Sequence, residues 1–388
     1  MTMTSAARTI APTAVVGMVG GGQLARMTQQ AAIALGIELH VLTPHDSDPA
    51  IRAGAQFLPG QPDDLDALVA LAAATDVVTF DHEHVPNHHL RALVEAGYAV
   101  RPDPSAKLLA QDKSVARRVL GDAGFAVPAY EDVAAGDRAA VLRFADAHGW
   151  PVVIKAPRGG YDGRGVFVVE SESALSGQQG LDGLDRWLLE AHVPIATELA
   201  VLVARRPNGQ TVTYPVVETV QRDGICHELV MPARIDAAVA DRAAAVGTAI
   251  AERIGATGML AVELFLTTDG ELVVNELAAR PHNSGHATID ASVTSQFENH
   301  LRAVLDWPLG AATQLAPSAA TVNLLGPAHP VDLARTVPLA LGDPTVRLHL
   351  YDKSITPGRK VGHVTVLGHD PQAALVAARA AAAAVLAP

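Results

Sequence analysis

One stretch decides how the central part of this chain folds: MLAVELFLTTDGELVVNEL, residues 259–277. Apolar residues fill both arms, and the Asp269-Gly270 pair between them is typical of a tight β-hairpin turn. If that pair forms a two-residue turn, Glu263 lies directly opposite Glu276 on one face of the hairpin. The sequence therefore predicts two carboxylates held side by side by a short β-ribbon.

Two carboxylates in this position repel each other. Cross-strand Cβ atoms lie about 5 Å apart, and at an effective dielectric constant of about 20 the repulsion is on the order of 3 kcal/mol. Because the neighbours are mostly apolar, solvent screens the pair poorly, whereas one or two magnesium ions bridged to phosphates would neutralise it. Asn275 can add a third oxygen ligand only if a bulge or twist turns it to the same side. The alternative is an exposed edge hairpin, or a three-residue turn that breaks the register.

A second stretch, KAPRGGYDGRGVFVV at residues 155–169, carries four glycines between two strand-like runs. It is not a Walker loop, since no G-K-[ST] follows, and it is not a dinucleotide turn, since a strand follows it. We expect a mobile hairpin whose backbone amides and Arg164 close over phosphates beside Lys155. The alternative is a flexible surface hairpin whose charges only keep the chain soluble.

The first third of the chain alternates strand-like and helical runs, which predicts a parallel sheet with helices on both faces. GGGQLA at residues 20–25 fits G-x-G-x-x-A between a strand and a helix. A nicotinamide site also needs an acidic residue at the end of the second strand, but that strand ends at Thr43. A nicotinamide cofactor, a substrate phosphate and a structural turn all remain open for these glycines.

The segment Asp81-His82-Glu83-His84 follows another strand of that sheet. Pro86 prevents His84 and His88 from sharing a regular helical face, which weakens a metal assignment. Parallel sheets bind ligands at the carboxyl ends of their strands, so Glu83 can hold a ligand there without metal. A metal site, a ligand contact and a solvated loop are the three interpretations.

The remaining chain reads as hairpins and helices. RPDPSA at residues 101–106 predicts a linker, with a helix over 112–123 after it. Hairpins dominate from Pro151 onward, and long helices are predicted over 237–254 and 289–305. Beyond Pro308 we expect a smaller β-rich tail that ends in an alanine-rich helix. In the tail, YDKSITPGRKVGH at residues 351–363 gathers three cations around a Pro-Gly turn, which indicates a phosphate monoester site or, alternatively, exposed surface charge.

The bulk composition excludes several classes of protein. The net charge of −12 argues against general binding to nucleic acid or anionic lipid. The single Cys226 excludes an internal disulfide and fits a reducing cytosol. No signal peptide and no run of 18 apolar residues is found, so we expect a cytoplasmic protein without a membrane partner.

Lid glycines after a strand lysine, followed by a metal hairpin ending in Asn-Glu, resemble the ATP-grasp superfamily. More narrowly, GGGQLARM, TFDHEHVP, GGYDGRG, NELAARPHNSGHAT and YDKSITPGRKVGH resemble the 5-(carboxyamino)imidazole ribonucleotide synthases, over about residues 15–367. The resemblance implies a mixed α/β and α+β chain in three units. These are an N-terminal parallel, Rossmann-like pre-ATP-grasp domain (1–107), an ATP-grasp domain (108–312) and a small β-rich C-terminal domain (313–388). Within the ATP-grasp domain, the lid subdomain would span about 126–188 and the metal and nucleotide subdomain about 189–312.

The resemblance also implies an activity. Such enzymes are homodimers that use ATP and bicarbonate to carboxylate the 5-amino group of 5-aminoimidazole ribonucleotide, releasing ADP and phosphate. The implied cofactors are ATP and Mg²⁺, with Mn²⁺ as an alternative ion, and carboxyphosphate is the expected intermediate. The partners would be small molecules, with no nucleic acid and no membrane.

Site residues follow from the resemblance, position by position. The catalytic group would comprise Lys155, Tyr161, Asp162, Arg164, Arg280, His282 and Asn283. ATP would be bound by Lys113 and Lys155 at its phosphates, by a lid of Gly160, Tyr161, Asp162, Gly163, Arg164 and Gly165, by Glu190 and Val193 at adenine, by Glu198 at ribose, and by Asn275 and Glu276. The ribonucleotide would be bound by Gln23, Glu83, Ser284, Lys353, Arg359 and Lys360. Magnesium would be held by Glu263 and Glu276.

Three positions depart from the family pattern. Gln221 stands where a histidine often borders the nucleotide, Ala279 replaces a common proline, and Ala287 replaces a common aromatic residue. The rival interpretations are another carboxylate-amine ligase, such as a formate-dependent glycinamide ribonucleotide transformylase, a nicotinamide-dependent oxidoreductase, and a non-catalytic nucleotide sensor.

Overall fold

The computed structural model describes residues 12–160, 164–222 and 224–388, whose strands form three sheets. The first sheet has four parallel strands in the order β3-β2-β1-β4, as the alternating pattern predicts. The elements in this part are β1 (Ala14–Val19), α1 (Gln23–Leu35), β2 (Ile37–Thr43), α2 (Pro49–Arg52), β3 (Gln56–Pro59), α3 (Leu65–Ala73), β4 (Val77–Phe80) and α4 (Asn87–Glu95). Its hydrophobic core includes Leu301 and Val304, which belong to a helix of the central part of the chain, far beyond this sheet in the sequence. The first sheet therefore packs directly against the central part of the chain.

The predicted linker is wrong in its second half, because Pro104 already begins a helix. The elements here are α5 (Pro104–Gln111) and α6 (Lys113–Asp122). The Asp103 carboxylate accepts a hydrogen bond from the Ser105 amide, and Pro104 occupies the first helical turn, where its missing N–H costs nothing. Asp-Pro therefore marks a helix start here and not a loop.

The second sheet has four antiparallel strands in the order β5-β8-β6-β7. Its elements are β5 (Tyr130–Ala134), α7 (Arg138–His148), β6 (Val152–Lys155), β7 (Val166–Val169), α8 (Glu172–Gly177) and β8 (Arg186–Ala191). The predicted glycine-rich hairpin is confirmed, since Lys155 at the end of β6 pairs with Val166 at the start of β7. Tyr161, Asp162 and Gly163 lie outside the described residues.

The third sheet is the largest, with the strand order β14-β13-β9-β11-β12-β15-β17-β16 and β10 paired to β9. Its elements are β9 (Ile195–Arg205), β10 (Thr211–Thr213), β11 (Val217–Arg222), β12 (Ile225–Met231), α9 (Ala237–Ile254), β13 (Gly258–Thr267), β14 (Leu272–Ala278), α10 (Thr288–Ala291), α11 (Gln296–Val304), β15 (Ser318–Leu325), α12 (Leu333–Ala340), β16 (Val346–Leu350), β17 (Lys360–Gly368) and α13 (Pro371–Val385). The β-rich tail and its closing helix are therefore present as predicted, but the strands of the tail extend the central sheet through β12 and β15.

The long helix predicted over 289–305 is wrong, since α10 and α11 divide this stretch. Between them the amides of Val293 and Thr294 donate to the carbonyls of Thr313 and Ala311, so the backbone pairs with a neighbouring segment. The Ser295 hydroxyl then accepts from the Glu298 amide and begins α11. Hydroxyl side chains compete with helical hydrogen bonds in this way, and they favour the break.

The β13–β14 hairpin differs from the predicted turn but keeps the predicted pair. The Thr267 amide donates to the Glu271 carbonyl at 2.9 Å across a three-residue loop, in which Gly270 has φ 88°. This loop moves the register by one residue. A bulge between Glu263 and Leu264 moves it back, because it leaves Asn275 without a partner in the ladder, and Glu263 pairs with Glu276 after all.

None of the helices in the described part of the chain combines the length and the apolar character needed to cross a membrane.

Candidate active site

A cavity of about 1080 Å³ opens where the three sheets meet. Its walls come from the β1–α1 loop, the β6–β7 hairpin, β8 and β9, the β13–β14 hairpin, and the loops that follow β14 and β16. The predicted site residues that line it are Gln23, Glu83, Lys113, Lys155, Gly160, Arg164, Gly165, Glu190, Val193, Glu198, Glu263, Asn275, Glu276, Arg280, His282, Asn283, Ser284, Lys353 and Arg359. Lys360 is buried on β17, and it is absent from the cavity lining formed by the described residues.

The facing glutamates form the acidic wall of this cavity, comprising Glu263, Glu276 and Glu198. Burial raises the pKa of Glu263 to about 8, and repulsion from Glu276 and Glu198 adds to that effect. Lys113 Nζ lies 3.2 Å from a Glu276 carboxylate oxygen. With both facing carboxylates ionised, the acidic wall would carry more negative charge than the neighbouring cations neutralise, and Glu263 therefore tends to keep its proton.

Asn275 reaches the acidic wall because the bulge turns it to the same side, as the predicted condition required. Its amide nitrogen donates to Glu263 Oε2 at 3.2 Å, while its amide oxygen accepts from Lys155 Nζ at 3.1 Å. Asn275 therefore presents a donor to the glutamates, and its oxygen is engaged elsewhere. The oxygen ligands available for a cation are the two carboxylates.

This donor set fits a magnesium ion that is shared with a ligand. Magnesium is usually held by one or two carboxylates together with substrate phosphates. Among the residues that the structure describes, no group of three or more His, Cys, Asp or Glu side chains forms a self-contained metal site.

The basic wall adjoins the acidic wall through Asn275. Its Lys155 and Glu190 line the cavity, and its Arg117 is buried behind them. Glu190 is buried, with Arg117 Nε 2.6 Å from one carboxylate oxygen and Lys155 Nζ 2.8 Å from the other. Burial alone would raise the pKa of Glu190, but Lys155 and Arg117 outweigh it and lower the pKa. Burial lowers the pKa of Lys155, and Glu190 opposes that shift.

Arg117 was missed in the sequence, although a signal was present. The buried residues of α6 are Lys113, Ala116, Arg117 and Leu120, which follow the i, i+3, i+4, i+7 spacing of a core-facing stripe. An arginine on such a stripe requires a buried partner. The sequence alone does not say that the partner is Glu190, because the two residues are 73 positions apart.

The glycines of the β1–α1 loop accommodate carboxylates. The Gly22 amide donates to Asp81 Oδ2 at 2.8 Å. A Cβ atom on Gly20 would lie 1.7 Å from Asp81 Oδ1, and one on Gly21 would lie 2.8 Å from Asp48. Two acidic side chains thus stand where a dinucleotide pyrophosphate would have to approach, which disfavours the nicotinamide interpretation.

The centre of the cavity holds Arg280 and His282. Arg280 Nε lies 2.8 Å from Glu83 Oε1 as a close ion pair, although its N–H does not point at that oxygen. Lys107, a residue missed in the sequence, donates to the Glu83 carbonyl at 3.0 Å, and burial lowers its pKa to about 8. Burial, followed by Arg280, lowers the pKa of His282 well below its ordinary value, so its ring is neutral.

The far end of the cavity joins residues that are distant in sequence. The Gln23 amide nitrogen donates to Asn283 Oδ1 at 3.3 Å, and Lys353 donates to the Gln23 amide oxygen. Arg359 donates to the Ser354 hydroxyl. Burial lowers the pKa of Lys353 to about 8, and the charge of Arg359 contributes.

A stack of three histidines fastens this end to the C-terminal strands. The His286 ring lies 4.7 Å from the His363 ring, which lies 4.5 Å from the His349 ring. Tyr351 Oη is 2.7 Å from His363 Nδ1. Burial lowers the pKa of His286 to about 3, so this residue packs as a neutral ring. The stack was not anticipated, because it unites the segment after β14 with β16 and β17.

Comparison with protein families gives three matches along the chain. Residues 13–111 match the ribonucleotide synthetase preATP-grasp domain, residues 118–297 the ATP-grasp domain, and residues 319–376 the phosphoribosylaminoimidazole carboxylase C-terminal domain.

Individual relatives share most of this chain. An N5-carboxyaminoimidazole ribonucleotide synthase of Mycobacterium tuberculosis is 49% identical over 368 residues, which cover 93% of this chain and 85% of the relative. An N5-carboxyaminoimidazole ribonucleotide synthase of Bacillus subtilis is 36% identical over 360 residues, which cover 92% of each chain.

Solved structures share the fold. An ADP complex of N5-carboxyaminoimidazole ribonucleotide synthetase superimposes with a TM-score of 0.88 at 34% identity, covering 96% of this chain and 97% of the other. An Aspergillus clavatus N5-carboxyaminoimidazole synthase in complex with ADP and 5-aminoimidazole ribonucleotide superimposes with a TM-score of 0.88 at 30% identity. The match covers 96% of this chain and 98% of the other. The predicted ATP-grasp fold is thereby confirmed.

Proposed function

This chain belongs to the N5-carboxyaminoimidazole ribonucleotide synthase family, and from that premise we propose how its cavity performs the family's reaction. The chain is an ATP-grasp ligase that carboxylates 5-aminoimidazole ribonucleotide to N5-carboxyaminoimidazole ribonucleotide at the expense of ATP. The single observation that supports our mechanism is the meeting of an under-neutralised acidic wall with a basic wall in one cavity.

ATP binds, in this proposal, between the two walls. Lys113 and Lys155 contact the phosphates, and the lid residues Gly160, Arg164 and Gly165 cover them. Val193 and Glu190 border the adenine, and Glu198 accepts the ribose hydroxyls. Support comes from the position of all the described members on one cavity, with Lys155 already oriented by Glu190 and Asn275.

Glu263 and Glu276 hold magnesium, with manganese as an alternative ion. When bound, the ion would supply positive charge that stabilises the charge developing on the transferred phosphoryl group. The high pKa of Glu263 supports this assignment, since a carboxyl group destabilised by its neighbours gains most from a nearby cation.

The chemistry proceeds in two steps. A bicarbonate oxygen attacks the γ-phosphorus, the bond to the β-phosphate oxygen breaks, and ADP and carboxyphosphate form. The 5-amine then attacks the carboxyl carbon, directly or after local release of CO₂, phosphate leaves, and the nitrogen loses a proton. Lys155 stabilises the charge on the transferred phosphoryl group, and Arg280, fixed by Glu83, stabilises the carboxylate of the intermediate.

His282 contributes a neutral donor at this centre. Its Nδ1 accepts from the Ser284 amide at 3.4 Å and lies 2.8 Å from the Ser284 hydroxyl, so the ring proton belongs on Nε2. Arg164 closes over the intermediate and helps to exclude water, which would hydrolyse it.

The ribonucleotide occupies the far end. Lys353 and Arg359, which line the cavity, bind its phosphate, and Lys360 adds its charge from the buried strand behind them. Gln23, Glu83, Asn283 and Ser284 contact the rest of the molecule. The contacts among Gln23, Asn283 and Lys353 support this placement, because they bring three chain segments to one point. We further propose a homodimer in the cytoplasm and domain bounds of 1–107, 108–312 and 313–388.

Phosphate release tests the function. The purified chain with MgATP should release phosphate only when both 5-aminoimidazole ribonucleotide and bicarbonate are present. Stimulation by glycinamide ribonucleotide with formate instead would establish the rival ligase. Tight NADH binding without ATP binding would favour an oxidoreductase, and ATP binding without turnover on any ribonucleotide amine would indicate a sensor.

A further inference from the structure

Arg117 is a buried cation to which the mechanism above assigns no role. Its side chain is 1% exposed, whereas Arg118, the next residue of α6, is exposed. Arg117 Nε donates to Glu190 Oε1 at 2.6 Å, and its Nη2 donates to the Asn275 carbonyl at 2.7 Å. One guanidinium therefore joins a strand of the second sheet to a strand of the third.

Lys155 contacts the same two residues from the other side. Its ammonium group lies 2.8 Å from Glu190 Oε2 and donates to Asn275 Oδ1 at 3.1 Å. Arg117 and Lys155 thus share both of their partners, and neither partner can move without disturbing both cations.

The contact with Asn275 is made at the bulge of β14. A bulged residue has no partner in the ladder, and an unpaired buried carbonyl is costly. Arg117 supplies the missing donor. The same bulge returns Glu263 and Glu276 to facing positions, so the arginine that fixes Lys155 also fixes the geometry of the two carboxylates.

We propose that Arg117 is a positioning residue for ATP phosphates. It shares the negative charge of Glu190, so that this carboxylate orients Lys155 without neutralising it completely, and it holds the bulge from which Asn275 and Glu276 project. Without Arg117, Glu190 would have Lys155 as its remaining counter-ion among the contacts described, and would compete with the phosphates for it.

A lysine in place of Arg117 should restore part of this function, because it keeps the positive charge but lacks the planar guanidinium group. Lysine supplies the positive charge but cannot donate to Glu190 and to the Asn275 carbonyl in the fixed geometry of a guanidinium. We therefore expect Arg117→Lys to lie between the parent and Arg117→Met. Arg118→Met, on the same helix, is the matched control.

The test compares these three variants in steady-state kinetics and in ADP binding by calorimetry. Arg117→Met should raise KM for ATP and Kd for MgADP about tenfold or more, while KM for 5-aminoimidazole ribonucleotide stays within about twofold. Arg117→Lys should raise the two nucleotide constants by a few-fold, and Arg118→Met should match the parent.

The inference rests on the proposed ATP site, and the two can fail separately. If the parent chain binds no ATP, the proposed function fails. If the parent is active, two results would overturn the inference and leave Arg117 with only a structural role. In the first, Arg117→Met loses stability while KM for ATP and Kd for MgADP are unchanged. In the second, the constants for ATP and for 5-aminoimidazole ribonucleotide change equally. Should Arg117→Met fail to fold, Arg117→Lys decides the question, because nucleotide constants equal to those of the parent would overturn the inference.

Discussion

Glu190 and Glu263 line the same cavity, and their surroundings have opposite charge. Glu190 has two cations within 2.8 Å, and they lower its pKa although burial acts in the other direction. Burial and the acidic neighbours raise the pKa of Glu263 to about 8. The nearby His282 has a neutral ring, and its Nε2 lies 3.7 Å from Glu263 Oε1. The chain completes the electrostatics of the basic wall by itself, whereas in the proposed function the acidic wall is neutralised by a cation that arrives with the nucleotide.

This contrast separates stability from function. A glutamate that is neutralised by its own protein should matter most for folding, and a glutamate that awaits a cation should matter most for catalysis. Removing the charge from each side chain in turn tests this distinction.

The largest expected effect is a loss of activity when a charge is removed from the acidic wall. Glu276→Gln and Glu263→Gln should each lower kcat/KM for ATP about 100-fold or more, because each removes a negative oxygen that the metal-nucleotide complex needs. Phosphate release at saturating magnesium is the measurement. Glu271→Gln, an exposed position on the same hairpin, should leave the rate unchanged. Full activity in either acidic-wall variant would remove the basis of the contrast.

The second effect is a loss of folding stability when the negative charge is removed from the basic wall. Glu190→Gln leaves two buried cations facing a neutral amide, and breaking a buried ion pair in this way costs about 3–5 kcal/mol. Urea unfolding should therefore show a lower free energy of unfolding for this variant. Glu198→Gln is the control, since Glu198 is half-buried and its pKa is raised by burial. Equal stability of the two variants would contradict the prediction.

The third effect is a gain in stability, from Glu263→Gln, where Glu190→Gln gives a loss. Between its ordinary value of 4.5 and the folded value of about 8, Glu263 keeps its proton in the folded chain and releases it in the unfolded chain. Stability therefore falls as pH rises through this window. Glu263→Gln removes this loss, so the variant without ligands should be more stable than the parent at pH 8, by about 1–3 kcal/mol, since the side chain is 22% exposed.

The pH dependence supplies the internal control for that variant. The stability gained by Glu263→Gln should shrink steadily as the pH falls from 8 to 5, because ionising this group then stabilises the parent's unfolded chain less, and it should vanish only below the ordinary pKa of 4.5. MgADP at pH 8 should also narrow the gap, since it stabilises the parent more. A gap that is independent of pH would show that Glu263 is not the group that titrates.

The sequence predicts the acidic wall well because its members are close in the chain. Glu263 and Glu276 belong to one hairpin, so alternation and turn chemistry suffice to pair them. The pairing is right although the predicted turn is wrong, because the three-residue loop and the bulge shift the register in opposite directions. The bulge itself leaves no clear mark in the sequence.

The basic wall is harder to predict because its members are distant in the chain. Arg117, Lys155 and Glu190 belong to a helix and two strands, and only the tertiary packing brings their charges together. The histidine stack poses the same difficulty across residues 286, 349 and 363. Family resemblance indicates the functional members of such sets, but it does not reveal Arg117 or Lys107, whose contacts are with other protein groups.

The smallest effect is expected where the two walls touch. Asn275 accepts from Lys155 and donates to Glu263, so Asn275→Ala removes one hydrogen bond from each wall. We expect a loss of about 1–2 kcal/mol in stability, at about 1 kcal/mol for each bond, and a fall in kcat/KM for ATP of less than about tenfold. Urea unfolding and phosphate release measure the two quantities.

A double-mutant cycle then identifies the wall on which Asn275 acts. If its bond to Glu263 matters because that carboxylate is short of positive charge, Asn275→Ala should cost less in the Glu263→Gln background at pH 8, with a coupling of about 0.5–1 kcal/mol. If the bond to Lys155 dominates, the cost should be the same in both backgrounds. Since the Asn275 donor lowers the pKa of Glu263, the first outcome should weaken at pH 5, where that carboxyl group is protonated. A coupling that persists unchanged at pH 5 would show that Asn275 supports the bulge and not the charge of the acidic wall.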